Sequence, residues 1–197
     1  VDITIDVVPA GDPLSNSVHT QTFNLIEDES YIVVANGVLN TNNFITDKAF
    51  ELSSFEGAKT AADDPTEVDV LVHHGSPDAP AVDINESTAG NLVSNIAYPE
   101  FQGYLSFAVA NYVLEIAQAG TPGALLAYEA NLATSADFNG IDGKAITIVA
   151  SGFFGDDAGA NNGFGLWVAK PSGGDLIQLP EVPIGTDAFT DSNFNYY

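Results

Sequence analysis

Apolar and polar residues alternate singly along much of the chain. Ile3, Ile5 and Val7 fall on one side of residues 1–8, with Asp2, Thr4 and Asp6 on the other. Val68, Val70 and Val72 repeat the pattern against Asp69 and Leu71. A period of two predicts half-buried β-strands. Further strands are predicted at 19–25, with Phe23 and Leu25 inward, and at 30–39 (SYIVVANGVL). Others follow around Phe50 and Leu52 and at 104–108, 111–118, 125–130, 145–154 (AITIVASGFF) and 164–169. Between them lie turn residues: PAGDP at 9–13, GSPDAP at 75–80 and AGTPG at 119–123. Proline fixes φ in such turns and Asp bonds nearby backbone. Only 86–98 has modest helical character, over one or two turns. The polar segment 58–67 (AKTAADDPTE) reads as a linker. Short strands at this spacing predict an all-β, antiparallel β-sandwich. Its expected core includes Val70, Val72, Leu114, Ile116, Ile146 and Ile148.

Two stretches resemble two others. DITIDVVPAGDP (2–13) aligns with NYVLEIAQAGTP (111–122), and SYIVVANGVL (30–39) aligns with AITIVASGFF (145–154). Order, turn residues and apolar phase agree, which predicts an internal repeat. The segment 68–109 has no counterpart before residue 1. The expected organisation is a partial sandwich repeat at 1–57, a linker at 58–67, a complete repeat at 68–180 and a C-terminal tail at 181–197.

Charge narrows the partners. The net charge is −23, from 27 acidic residues against only four lysines and no arginine. Charged residues total 16%, below the roughly 25% of an average soluble protein, so the chain lacks cations more than it abounds in acids. Nucleic acid and anionic membrane surfaces need Lys and Arg, so neither is an expected partner. No run approaches the ~20 apolar residues of a membrane span. Cysteine is absent, so no disulfide holds the fold. Methionine is absent too, even at position 1, and a removed secretory signal is the simplest expectation.

The run VHHGSPDAPAVDI, followed by NIAYPEFQGYLSF, NYVLEIAQAGTPG and AITIVASGF, resembles the domain-of-unknown-function family 4397. The resemblance covers about residues 68–170, with a partial second copy in 1–54. It implies an Ig-like β-rich module of secreted and surface proteins, and no reaction. The family pattern resembles His-Ala-Ser-Pro-Asp-Ala-Pro-Ala-Val-Asp. This chain matches it from His74 to Asp83 with one change, Gly75.

The residues offer few chemical sites. His73 and His74 are adjacent on a strand, so they point to opposite faces and cannot share a metal. His74, Ser76 and Asp78 could suggest a nucleophile, base and acid. The better reading has Ser76 and Asp78 bonding turn backbone while His74 packs at the sheet end. Asp137, Asn139 and Asp142 form an oxygen-rich loop, and Asp156, Asp157, Asn161 and Asn162 a second. Hard oxygen ligands suit Ca²⁺, although the bidentate Glu of an EF-hand is missing. The competing reading is solvated turn residues. Asn85 opens an N-x-S sequon. Trp167, Tyr196 and Tyr197 could stack on sugars, although Trp167 in a strand suits core or interface.

The expected function is a non-enzymatic extracellular structural subunit that self-assembles, by strand exchange, into a surface filament or layer. Its expected partners are copies of itself, as homo-oligomer or homopolymer. The alternative is a secreted carbohydrate- or ligand-binding adhesion module that meets surface glycans. No cofactor is expected beyond a structural Ca²⁺.

Overall fold

A computed structural model describes residues 1–155 and 163–184. Fourteen strands are described. They are β1 (Asp2–Val7), β2 (His19–Asn24), β3 (Tyr31–Asn36), β4 (Glu51–Glu56), β5 (Glu67–His74), β6 (Val82–Glu86) and β7 (Gly90–Ile96). Then come β8 (Phe101–Ala108), β9 (Asn111–Gln118), β10 (Leu126–Asn131), β11 (Lys144–Ser151), β12 (Gly165–Ala169), β13 (Ile177–Gln178) and β14 (Glu181–Val182). The only helical turns among the described residues are three short 3₁₀ turns.

Ten strands build two five-stranded sheets, β14-β10-β9-β6-β7 and β13-β12-β11-β5-β8. Their inner faces meet in one core, where Val70, Val72, Leu114, Ile116, Ile146 and Ile148 are all buried as expected. The sandwich is not wholly antiparallel, because β11 lies parallel to β5 from Lys144↔Val68 to Ala150↔His74. The helical tendency of 86–98 is overridden: β7 runs through it and pairs with β6. Val93 and Ile96 enter the core, and burying them outweighs a weak local propensity. Residues 181 and 182 also leave the expected tail, because β14 pairs with β10. Leu179 is buried, and β13 and β14 each extend one sheet.

Residues 1–57 form two two-stranded hairpins, β1-β2 and β3-β4, rather than a sandwich. Their pairing nevertheless matches that of β9-β10 and β11-β12. Asp2↔Asn24 corresponds to Asn111↔Asn131, and Val7↔His19 to Ile116↔Leu126. Ala35↔Leu52 corresponds to Ala150↔Leu166. Gly37 and Gly152 follow the two matching strands at φ 73° and 90°, a region that glycine enters without a Cβ penalty. The next residue, Val38 or Phe153, makes an isolated parallel bridge in each case.

The β3-β4 hairpin adds a third layer outside the second sheet. Asp69, Leu71 and His73 face away from the sandwich core and yet are all 0% exposed. A strand buried on both faces reads as a nearly continuous apolar run, and VDVLVHH does. Phe55 of β4 packs on Phe101 and Tyr104 of β8, and Phe44 stacks on Phe153.

Candidate functional site

The chemistry-bearing residues collect where β5 ends. His73 points outward to the hairpin layer and His74 inward, as their adjacency requires. His73 Nδ1 donates to the Glu100 carbonyl at 3.1 Å, and its ring stacks on Phe101 with centroids 4.1 Å apart. Nε2 lies 3.1 Å from the side-chain amide of Asn36 on β3. A neutral ring has one N–H, so Nε2 is the acceptor and the amide turns its nitrogen toward it. Burial pushes the His73 pKa down to about 4, so the ring is neutral near pH 7. Burial lowers His74 as well, and its Nε2 donates to the Pro80 carbonyl at 3.0 Å.

Ser76 and Asp78 bond backbone, but across the domain rather than within their own turn. Ser76 Oγ donates to the Gly152 carbonyl at 2.7 Å. Asp78 Oδ1 accepts from the Phe154 N–H at 2.7 Å and Oδ2 from Gly155 at 2.8 Å. The turn after β5 thereby holds the start of the loop after β11. With Ser76 committed to Gly152 and His74 to Pro80, this set works as a lock between two turns. The hairpin layer reaches the same turn, where Thr46 Oγ1 donates to the Pro77 carbonyl at 3.0 Å.

Gly75 has a structural cause. A Cβ there would sit 2.9 Å from the side-chain amide of Asn36 and 2.9 Å from the Ala150 carbonyl oxygen. Its N–H donates to that same carbonyl at 2.8 Å. Glycine at this position makes room for Asn36.

Two polar anchors were not foreseen. The Asp69 carboxylate is buried on the outer face of β5 and meets Lys59 Nζ at 2.9 Å, Ser106 Oγ at 2.6 Å and the Asp63 N–H at 3.3 Å. Burial alone would raise its pKa, but these partners together hold it below the usual carboxylate range. Bonds to Asp63 and Asp69 raise Lys59 in turn. Glu86, also buried, accepts from Ser87, from both N–H and Oγ1 of Thr88, and from the Ala89 N–H. Burial pushes its carboxyl up and those bonds pull it net downward. The signal for both was an acid at an alternating strand position; its partners come from residues brought close only by the fold.

The predicted metal loop around 137–142 is built around two apolar anchors. Phe138 and Ile141 are buried, while Asp137, Asn139 and Asp142 are exposed. Ser135 caps the 3₁₀ turn by accepting from the Asp137 N–H, and the Asp137 carbonyl accepts from Lys170. Among the described residues no group of three or more His, Cys, Asp or Glu is placed to hold a metal ion. Asp156, Asp157, Asn161 and Asn162 lie outside the described residues, as do Tyr196 and Tyr197. Asn85 sits within β6 on the outer face of its sheet, where its Oδ1 accepts from Asn91 at 3.1 Å.

A groove of about 850 Å³ lies beside β3. One wall is β3, and the floor is the outer face of β11 and β12, with Ala145, Thr147, Val149 and Trp167. Its lining includes Lys59 and Lys170, two of the four cations of the chain, and no Asp or Glu. A second hollow continues past Gly37, Val38 and Leu39 toward Gly75 and Pro77. No described strand pairs with the groove side of β3.

No helix among the described residues is long and apolar enough to cross a membrane. No curated protein and no solved structure matches the chain. A family model described as a domain of unknown function does match, over residues 68–161. That segment, which carries the whole β5 turn lock and the strands it joins, is similar to the DUF4397 family.

Proposed function

We propose that the protein is a non-enzymatic structural subunit of an extracellular layer or filament, joined to its neighbour in the assembly by strand addition at residues 1–57. The observation that carries this reading is the matched register of β1-β2 with β9-β10 and of β3-β4 with β11-β12. By that match, β1–β4 correspond to β9–β12 of the sandwich, and no described strand stands to them as β5–β8 stand to β9–β12. The exposed apolar positions support it. Ile3 and Val33, which correspond to Tyr112 and Ile148 of the completed sandwich, are 43% and 39% exposed. An unpaired edge beside apolar surface templates another chain. The cation-poor composition suits an extracellular setting. Multi-angle light scattering and negative-stain microscopy of material taken from its native source test the reading. Assemblies that contain the chain are expected; freely diffusing monomer in that material would overturn it.

A second reading rests on Trp167. It lies in the floor of the apolar groove, where an indole face could stack on a sugar ring. Glycan-array binding that is lost in Trp167→Ala, without loss of fold, would favour an adhesion module.

A further inference from the structure

The outer face of β11 and β12 carries polar groups that no described residue satisfies. Thr147, Val149 and Ser151 alternate along β11 on the floor of the groove, and Trp167 of β12 pairs with Val149. Thr147 is only 5% exposed, yet its hydroxyl has no hydrogen-bond partner among the described residues. The Ser151 hydroxyl and the Trp167 Nε1–H have no described partner either. A buried hydroxyl without a partner is uncommon, because desolvating it is costly. One that lines a groove calls for something in the groove to bond it.

We infer that the groove binds a neutral oligosaccharide laid along β11, with one sugar ring on the Trp167 indole and flanking rings bonded by Thr147 and Ser151. The inference rests on the adhesion-module reading and names its ligand class and the residues that select it.

The indole is made into a platform by its neighbour. Gly165 lies two residues before Trp167, on the same face of β12. A Cβ at Gly165 would sit 3.2 Å from Trp167 Nε1 and 3.2 Å from Gln178 Nε2. Glycine leaves the space into which the indole edge lies down on the strand, with the Gln178 amide beside it. A ring laid on a sheet offers its face to an occupant, and an aromatic face suits the C–H face of a sugar.

Spacing sets the length of the ligand. Thr147 and Ser151 are four residues apart on one strand, about 13 Å, and Trp167 sits beside the midpoint at Val149. A hydroxyl, an aromatic face and a second hydroxyl in that order suit linked sugar rings, which carry C–H faces and hydroxyl rims. A purely apolar ligand would leave the polar groups of the floor unmet.

Charge selects among sugars. The chain carries −23, and the groove lining holds no Asp or Glu. Its two lysines are engaged: Lys59 Nζ meets Asp63 at 2.7 Å and Asp69 at 2.9 Å, and Lys170 Nζ donates to the Asp137 carbonyl at 3.0 Å. An acidic sugar would gain one partly engaged lysine and face the repulsion of the whole molecule.

Trp167 is the only tryptophan, so its fluorescence reports occupancy directly. The full 197-residue chain is titrated with neutral glucose, mannose and N-acetylglucosamine oligomers from the monosaccharide upward, and with uronate and sulfated oligomers of the same lengths. A saturable change is expected with at least one neutral series. Affinity should rise about tenfold or more from monosaccharide to trisaccharide and then level off. Thr147→Val removes the hydroxyl and keeps the shape; it should weaken trisaccharide binding several-fold with an unchanged circular dichroism spectrum, as should Ser151→Ala. By calorimetry, Trp167→Phe should keep weak binding that Trp167→Ala loses. Absence of saturable binding in every neutral series, a preference for acidic oligomers, or indifference to both hydroxyl substitutions would each overturn the inference. If Trp167→Ala abolishes glycan binding while Thr147→Val and Ser151→Ala bind as the parent does, the adhesion reading stands and only this ligand assignment falls.

Discussion

The side-chain amide of Gln21 grips the backbone of Leu52 at both ends. Nε2 donates to the Leu52 carbonyl at 2.8 Å, and Oε1 accepts from the Leu52 N–H at 2.9 Å. Leu52 occupies the register position of Leu166, whose carbonyl accepts from the Leu179 N–H at 2.9 Å. A glutamine of β2 thus does for the outer edge of β4 what β13 does for β12. One edge of the N-terminal unit is closed by this contact, and among the described residues no strand pairs with the other edge, at β3.

Replacing Gln21 with Glu tests the grip, because a carboxylate accepts from the Leu52 N–H but faces its carbonyl with a second oxygen. The hairpin layer should lose about 1–3 kcal/mol, the range for an unmade bond to a part-buried group. The Leu52 amide should exchange faster while amides of β5 and β11 keep their protection. Unchanged exchange at Leu52 would show that the amide contact holds nothing.

His73 makes stability depend on pH. Burial depresses its pKa from the ordinary 6.5 to about 4. The unfolded chain therefore binds a proton before the folded one does. Stability is complete above about pH 6.5 and falls as pH drops toward about 4, by up to about 3 kcal/mol. His74, shifted in the same direction, adds to the loss in this range. Protonation also forces Nε2 to donate, so the Asn36 amide must turn its oxygen toward the ring. Urea midpoints measured from pH 7.5 to pH 4 should decline, and His73→Gln should flatten part of that slope. An equal slope in the variant would assign the loss to other groups.

Lys59 supports a carboxylate that no water reaches. Lys59→Met leaves Asp69 buried with only Ser106 and the Asp63 N–H as donors. Removing one partner of a buried pair typically costs about 3–5 kcal/mol, since the remaining charge is uncompensated. The double variant Lys59→Met, Asp69→Leu should recover much of the loss. Chemical denaturation decides it: a single variant within about 1 kcal/mol of the parent would mean that Lys59 contributes little.

Much of the sandwich was legible because its strands obey a period of two, and the apolar phase of Val70, Val72, Ile146 and Ile148 marks one face. The second burial of β5 was not, although LVHH carries the trace of it. Covering Leu71 and His73 needs the β3-β4 hairpin, whose Asn36 lies 37 residues from His73 in sequence, and periodicity says nothing about which faces meet. Register equivalence between β3 and β11 was visible as an alignment; the groove it leaves open was not, since a groove is a property of three layers. At the motif, Ser76 and Asp78 were rightly read as backbone binders. Their targets, Gly152, Phe154 and Gly155, depend on the parallel pairing of β5 with β11, which no local pattern announces.

Gly75 and Asn36 should behave as one unit. A Cβ at this position would lie 2.9 Å from the Ala150 carbonyl oxygen and 2.9 Å from the side-chain amide of Asn36. Gly75→Ala must then either push Asn36 off His73 or shift β3, at a cost of about 1–3 kcal/mol for overpacking a close contact. Asn36→Ala alone also costs stability, because it leaves His73 Nε2 without its partner inside the protein. In the double variant the clash is gone, so the combined loss should be smaller than the sum of the two single losses by at least about 0.5 kcal/mol. Hydrogen exchange adds the location: Gly75→Ala should loosen β3 and β4 while β9 and β10 stay protected. Strict additivity of the two substitutions would mean that Gly75 serves the Ala150 contact and not the docking of the N-terminal hairpin.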